Sequence, residues 1–262
     1  MLPIRRISTD LREIRWGHVL VEFVMLVVGI LLALAVNNWV EERRDARIER
    51  QYLERLVTDL DQTLETLDEF ARFETRQSAD GAAAYRALAN GVAPADRDAV
   101  AHALSNLTTR RTIRITRATY SNLIGTGDMR VISNPSLRDR IVRHYEQSDR
   151  YASVIDSNNR TFVDAMYVMY TLDRAIVRAR EKDNLPVVGA TVDELANMVG
   201  PTAAQPRDRV WDIEPGTLDW DVLLNKVWFR TIVSLTARNL TRDQIDQVRE
   251  LKAAVEAELA HF

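Results

Sequence analysis

The chain is 262 residues long, 46% hydrophobic and 28% charged, with a net charge of -3, an ordinary globular mixture that implies no polyanionic partner for the chain as a whole. Only 9 glycines and 7 prolines occur, too few for a loop-rich or all-β protein, and the absence of cysteine excludes disulfides, thiol catalysis and cysteine-ligated metal. The length accommodates one large domain or two small ones.

Residues 1–16 open the chain with Ile4, Ile7, Leu11 and Ile14 at three- and four-residue steps, and with Arg5, Arg6, Arg12 and Arg15 outside that stripe. The spacing predicts a short basic amphipathic helix on an anionic lipid surface; a disordered tail is the competing reading. Residues 17–40 form the predicted transmembrane helix. Within residues 19–40 only Glu22 is charged, and as a helix that stretch spans about 33 Å, enough for a hydrocarbon core of roughly 30 Å. Trp16 and Trp39 bracket it at the positions that indole rings favour, the headgroup level. A cleaved signal peptide is the rival, since Ala33-Leu34-Ala35 has the form of a cleavage site. Residues 37–42 lead into a helical pattern without a break, which favours the uncleaved anchor.

At 100° per residue, Glu22, Gly29, Ala33 and Asn37 fall within about 80° of one another, a stripe of small and polar side chains suited to close approach of a second helix. The competing reading places Glu22 and Asn37 at the two interfaces, where they snorkel to water. Arginines lie on both sides of the span in similar number, so the positive-inside count is nearly tied. The basic segment 1–16 suits an anionic cytoplasmic leaflet, and the expected placement is a bacterial inner membrane with the N-terminus inside and the large domain periplasmic.

Residues 41–262 are expected to form an all-α soluble domain. The helix is predicted to continue past the membrane through Leu53, Leu56, Leu60, Leu64, Leu67 and Phe70, with Thr63 and Glu74 falling on the seam. Bundle packing is favoured over a coiled coil because clean heptads are too few. Gly91 and Pro94 mark a turn. Further helices are predicted over 95–107 and over 112–124, ending at Gly125 or Gly127, with a brief extended piece after them. Asn134 and Pro135 then start a helix running to about residue 183, bent or broken at Asn158-Asn159. Residues 184–220 read as loop-rich, with a short helix over 192–199. Residues 221–262 read as one helix or two, joined near Asn239, with Thr241 and Gln244 in capping-box spacing. The fold class is all-α: a transmembrane helix extending into a membrane-anchored antiparallel bundle.

The stretches EFVMLVVGILLALAVNNWVEER, YLERLVTDL and TYSNLIGTGDMRVISNPSLRDRIVRHYE together resemble an uncharacterised bacterial family of single-span membrane proteins, a domain of unknown function. The order of these segments agrees over most of the chain, and residues 119–146 are the most specific. Val40 stands where many members have a polar residue. The resemblance implies a membrane-anchored helical protein and supplies no activity.

Signals for chemistry are sparse. His18, His102, His144 and His261 have no metal-ligand spacing, so no metal or other cofactor is expected. Gly125-Thr126-Gly127 lacks the third glycine and the strand of a nucleotide fingerprint, and neither a P-loop nor a G-x-S-x-G elbow occurs. Arg110, Arg111, Arg114 and Arg117 form a local basic face, expected to pair with acids such as those of DLDQTLETLDE rather than to bind nucleic acid. Trp211, Trp220 and Trp228, with Phe229, are the candidate lining of a ligand pocket, the alternative being that they cap a core.

The expected function is non-enzymatic: a single-pass membrane protein acting by helix–helix contacts as a scaffold or accessory subunit of a membrane complex. Its expected partners are membrane lipid and another membrane protein or a second copy. The alternative is an extracytoplasmic ligand sensor that signals through a partner.

Overall fold

A computed structural model describes residues 16–174 and 209–262. Among these residues every regular element is helical and there is no strand. Helix α1, Trp16–Asn90, has 75 residues and is about 112 Å long. It contains no proline and closes at Gly91, whose φ of 83° is the left-handed conformation that glycine adopts without a Cβ penalty. A 3-10 turn, Pro94–Asp96, leads into α2, Arg97–Asn106. Helix α3 is Ala118–Thr126, and a second 3-10 turn, Asp128–Val131, follows it. Helix α4, Pro135–Asn158, passes into a π-helical segment, Asn159–Val168, and then α5, Met169–Asp173. A last 3-10 turn, Arg209–Asp212, precedes α6, Leu218–Leu259.

Helices α1 and α6 form the spine and run antiparallel: Lys252 reaches Asp61 at 2.6 Å, while Arg230 reaches Gln77 at 3.5 Å. Gly81 allows their closest approach, since a Cβ there would fall on the Thr231 hydroxyl. The core has two apolar clusters. Leu53, Leu56, Leu60 and Leu67 of α1 meet Ile141 and Tyr145 of α4 and Val248 and Leu251 of α6 in the first. Ala84 and Leu88 of α1 meet Leu104 of α2, Tyr167 of the π-helical segment and Leu223 and Val227 of α6 in the second. Of the residues the three-four spacing selects, Leu53, Leu56, Leu60, Leu67 and Phe70 are buried and Leu64 is partly buried, and the bundle reading holds because α6 packs against them. Thr63 and Glu74, the two seam exceptions, are also buried.

Several boundaries differ from expectation. Residues 112–117 are not helical; α3 starts at Ala118. Thr112, Ile113, Ile115 and Thr116 are β-branched and favour extended backbone, and Ile113 is buried there. The carboxylate of Asp59 accepts from the Thr119 N–H at 2.8 Å, so the N-terminus of α3 is capped by another helix rather than by its own neighbour. The expected extended piece begins as a 3-10 turn, with Ile132 and Asn134 in extended conformation after it. Asn134 caps α4 as its spacing predicts, accepting from the Leu137 N–H at 3.2 Å with Pro135 in the first turn.

The chain does not break at Asn158-Asn159. Instead Asn159 turns inward, donates from Nδ2 to the Arg111 carbonyl at 2.9 Å, and the helix widens to the π form. The buried positions from there are Ile155, Asn159, Val163, Tyr167 and Thr171, four residues apart. That steps past Met166, Met169 and Leu172, which are exposed. Residues 221–259 belong to one helix without a joint at Asn239, capped at its start by Thr217 and not by Thr241. Thr241 is buried and donates to the Ala237 carbonyl at 2.7 Å. The amphipathic segment 1–15 and the short helix expected over 192–199 lie outside the described residues.

Candidate functional site

The first candidate is the apolar end of α1, long and apolar enough to cross a membrane. Bulky side chains from Leu20 to Val40, the partly covered Val27 apart, are about half exposed or more, and none of the most apolar window is buried. Because the whole segment is α-helical, Glu22, Gly29, Ala33 and Asn37 do share one face. All four are exposed, and a Cβ on Gly29 would meet nothing within 4 Å. Trp16 opens the helix, and the exposed Trp39 lies near the end of the apolar stretch with the Arg43 guanidinium 4.6 Å from its ring centroid.

Just beyond the apolar stretch the bundle is tied together by charge. Glu49, buried on α1, accepts from the Ser133 N–H at 2.7 Å and from its hydroxyl at 3.0 Å. Tyr52 donates to Asp128 at 3.0 Å, and Asn134 Nδ2 donates to Glu258 on α6 at 2.7 Å. The end of α6 is thereby held beside the stretch of α1 that leaves the apolar segment.

A buried polar layer separates the two apolar clusters, and its residues were not singled out from sequence as a site. Arg230 is 2% exposed. Its Nε donates to the Leu107 carbonyl at 2.8 Å, Nη2 to the Thr109 carbonyl at 2.9 Å and Nη1 to the Ser234 hydroxyl at 2.5 Å. It thus closes off the carbonyls that follow α2 and holds the turn after it. Glu74 lies in the same layer; burial holds its carboxyl above the ordinary range, opposed by the charge of Arg230 and the hydroxyl of Ser234. The available signal was register. Glu74 follows Leu67 and Phe70 on the core stripe, and Arg230 falls between Val227 and Val233.

The tryptophans divide. Trp220 is buried in the second cluster, and Trp211 packs against that cluster with Arg97 5.4 Å from its ring centroid. Trp228 is 48% exposed, and its neighbour Phe229 makes an edge contact with Phe162 at 5.0 Å. Two of the three therefore wall a core, and the third faces outward. The basic face also resolves into pairs, but with different acids from those expected. Arg110 binds Asp164 at 2.6 Å and Arg117 binds Asp149 at 2.8 Å, while Arg111 lies over Phe73.

A groove of about 690 Å³ between α1 and α6 has Arg72, Arg76, Arg242 and Arg249 on its walls, with Asp68 and Asp246. His144 is in the core. Among the described residues no cluster of three or more histidines, aspartates or glutamates has the arrangement of a metal site.

No curated protein and no solved structure matches this chain. The pattern of the Family of unknown function (DUF6090) does match, over residues 22–162. That range begins at Glu22, runs through the apolar stretch and all the α1 leucines of the first cluster, and ends inside the π-helical segment. It covers more than half of the chain, from the candidate membrane span through α4, and on it the protein belongs to the DUF6090 family.

Proposed function

We propose that this protein is a single-pass inner-membrane protein with a periplasmic helical domain. It acts without catalysis, as a scaffold or accessory subunit of a membrane complex, through helix–helix contacts of its span. The observation that carries this reading is the exposed stripe of Glu22, Gly29, Ala33 and Asn37 on a helix that continues into the core of the bundle. Small residues let a second backbone approach closely, and an ionisable residue in a span is costly unless it meets a partner or water. The family pattern includes the apolar stretch, which supports an anchor retained in the working protein rather than a leader removed from it. The partner is another membrane protein or a second copy. The basic segment before the span supports an N-terminus on the cytoplasmic side.

The test is crosslinking in native membranes followed by pull-down in mild detergent. The double variant Glu22→Leu, Gly29→Ile is expected to lose the crosslinked species that the unmodified chain retains. An unchanged set of partners would sink the proposal.

A second reading, a periplasmic ligand sensor, is favoured by the arginine-rich groove between α1 and α6. It requires an anionic ligand whose binding changes the tryptophan fluorescence of the domain. A flat titration with inorganic phosphate and with small dicarboxylates counts against it.

A further inference from the structure

Helix α6 runs back toward the membrane end of α1, and its last turn brings Phe262 beside the point where α1 leaves the apolar stretch. Between them lies a groove of about 530 Å³ whose lining includes Trp39, Val40, Arg43, Arg47, Arg50 and Phe262. On the α1 wheel Trp39, Arg43, Arg47 and Arg50 fall within about 80° of one another, while Glu41, Glu42, Asp45 and Glu49 lie outside that arc. Charge is thus sorted around this turn of the helix. The arginines face the groove, and one of the acids, Glu49, is buried against Ser133. Arg50 is tied to Glu54 at 2.9 Å in an exposed pair. Among the described residues Arg43 and Arg47 pair with no carboxylate. Arg43 is stacked over Trp39 and Arg47 donates to the Arg43 carbonyl at 3.2 Å.

We propose that this groove binds the phosphate headgroup of an anionic phospholipid, so that one lipid seats the bundle on the bilayer. The inference rests on the reading of the apolar stretch as a membrane span. Three observations agree on the ligand. The groove lies at the level of Trp39, where indole rings meet headgroups. Two guanidinium groups free of carboxylates offer forked donors that match phosphate oxygens. Val36 and Val40, more than half exposed on the membrane side of the same helix, supply an apolar surface for the acyl chain of a lipid, which a soluble phosphate does not use. Arg43 and Arg47 bind the phosphate, and Trp39 and Phe262 flank the glycerol region.

Full-length protein in detergent is exposed to equal amounts of phosphatidylglycerol and phosphatidylcholine, and the retained lipid is counted by native mass spectrometry. The unmodified chain is expected to retain phosphatidylglycerol preferentially. Arg43→Gln and Arg47→Gln should each reduce that retention about tenfold, the loss of one charge-assisted hydrogen bond to phosphate. Arg44→Gln removes the same charge from a position outside the groove lining and should leave retention unchanged. All three residues are exposed, so folding should be untouched, and the thermal midpoint checks this. Equal losses from Arg44→Gln and Arg43→Gln, or no lipid preference in the unmodified chain, overturn the site. Displacement of the lipid by millimolar glycerol phosphate would also overturn it, assigning the groove to a soluble anion. Flotation with phosphatidylcholine vesicles tests the span separately. A chain that floats but shows no preference has lost only this inference; one that does not float has lost the span.

Discussion

His144 is 6% exposed, and neither ring nitrogen has a hydrogen-bond partner. Burial alone lowers its pKa from 6.5 to about 4, so the folded chain holds the neutral ring. Between those values the unfolded chain binds a proton that the folded chain does not. Stability from this residue is therefore complete above about pH 6.5 and is lost as pH falls toward 4, by about 1.4 kcal/mol per unit. Glu74 acts in the opposite sense. Its pKa is raised by burial, so the folded chain keeps its proton above the ordinary 4.5 and loses stability as pH rises through the folded value. Urea unfolding at pH 7.5 and at pH 5 separates the two. His144→Leu is expected to remove about 2 kcal/mol of acid-side loss relative to the unmodified chain. Parallel pH slopes for the two proteins would show that His144 does not titrate this way. The sequence left open whether His144 faces the surface or the core, because burial depends on what packs against α4.

At the scale of elements, one side chain serves both the start of α4 and its junction with the end of α6. Asn134 accepts from the Leu137 N–H with its oxygen and donates to Glu258 with its nitrogen. Asn134→Ala removes both bonds and is expected to cost about 1–2 kcal/mol, the usual range for a lost N-cap with a side-chain hydrogen bond. Asn134→Ser keeps the cap and should recover most of that, as read by chemical denaturation; equal losses would place the effect elsewhere. The cap was legible because Asn-Pro ahead of an amphipathic run is a local signal. The cap of α3 was not legible, because its acceptor, Asp59, is 60 residues away in sequence and no local pattern around Thr119 encodes it. The π-helical segment was missed for a similar reason. Asn158-Asn159 signals a perturbed helix, and only the Arg111 carbonyl across the bundle makes widening preferable to breaking.

For the whole molecule, the consequential feature is that α1 does not stop where its apolar stretch ends. Its 75 residues carry the apolar stretch, the groove beside Trp39 and one wall of both core clusters. On the function proposed above, a partner that turns or tilts the apolar stretch would act on the bundle through a continuous helix. The absence of cysteine makes a direct check practical. Spin labels at Asn38→Cys and Thr58→Cys, both exposed sites, are separated by 20 residues and should give a narrow distance distribution centred near 30 Å. A broad distribution or a shorter mean would reveal a hinge at the membrane exit and weaken the mechanical link.

The sequence by itself determined the parts of this protein that depend on local or periodic signals: an all-α chain, an apolar helix with a stripe on one face, the leucine seam of α1, the cap of α4 and the turn at Gly91. These follow from hydrophobic spacing and from the conformational limits of proline, glycine and asparagine, which act within a few residues. Only the tertiary structure decided that residues 112–117 stay out of the helix, that Arg230 and Glu74 form a buried layer between two clusters, and that Phe262 returns to the level of Trp39. Each of these depends on groups distant in sequence, brought together when α6 packs antiparallel on α1. Burial changes the energy of a charge, and an unpaired backbone group seeks whatever partner packing supplies.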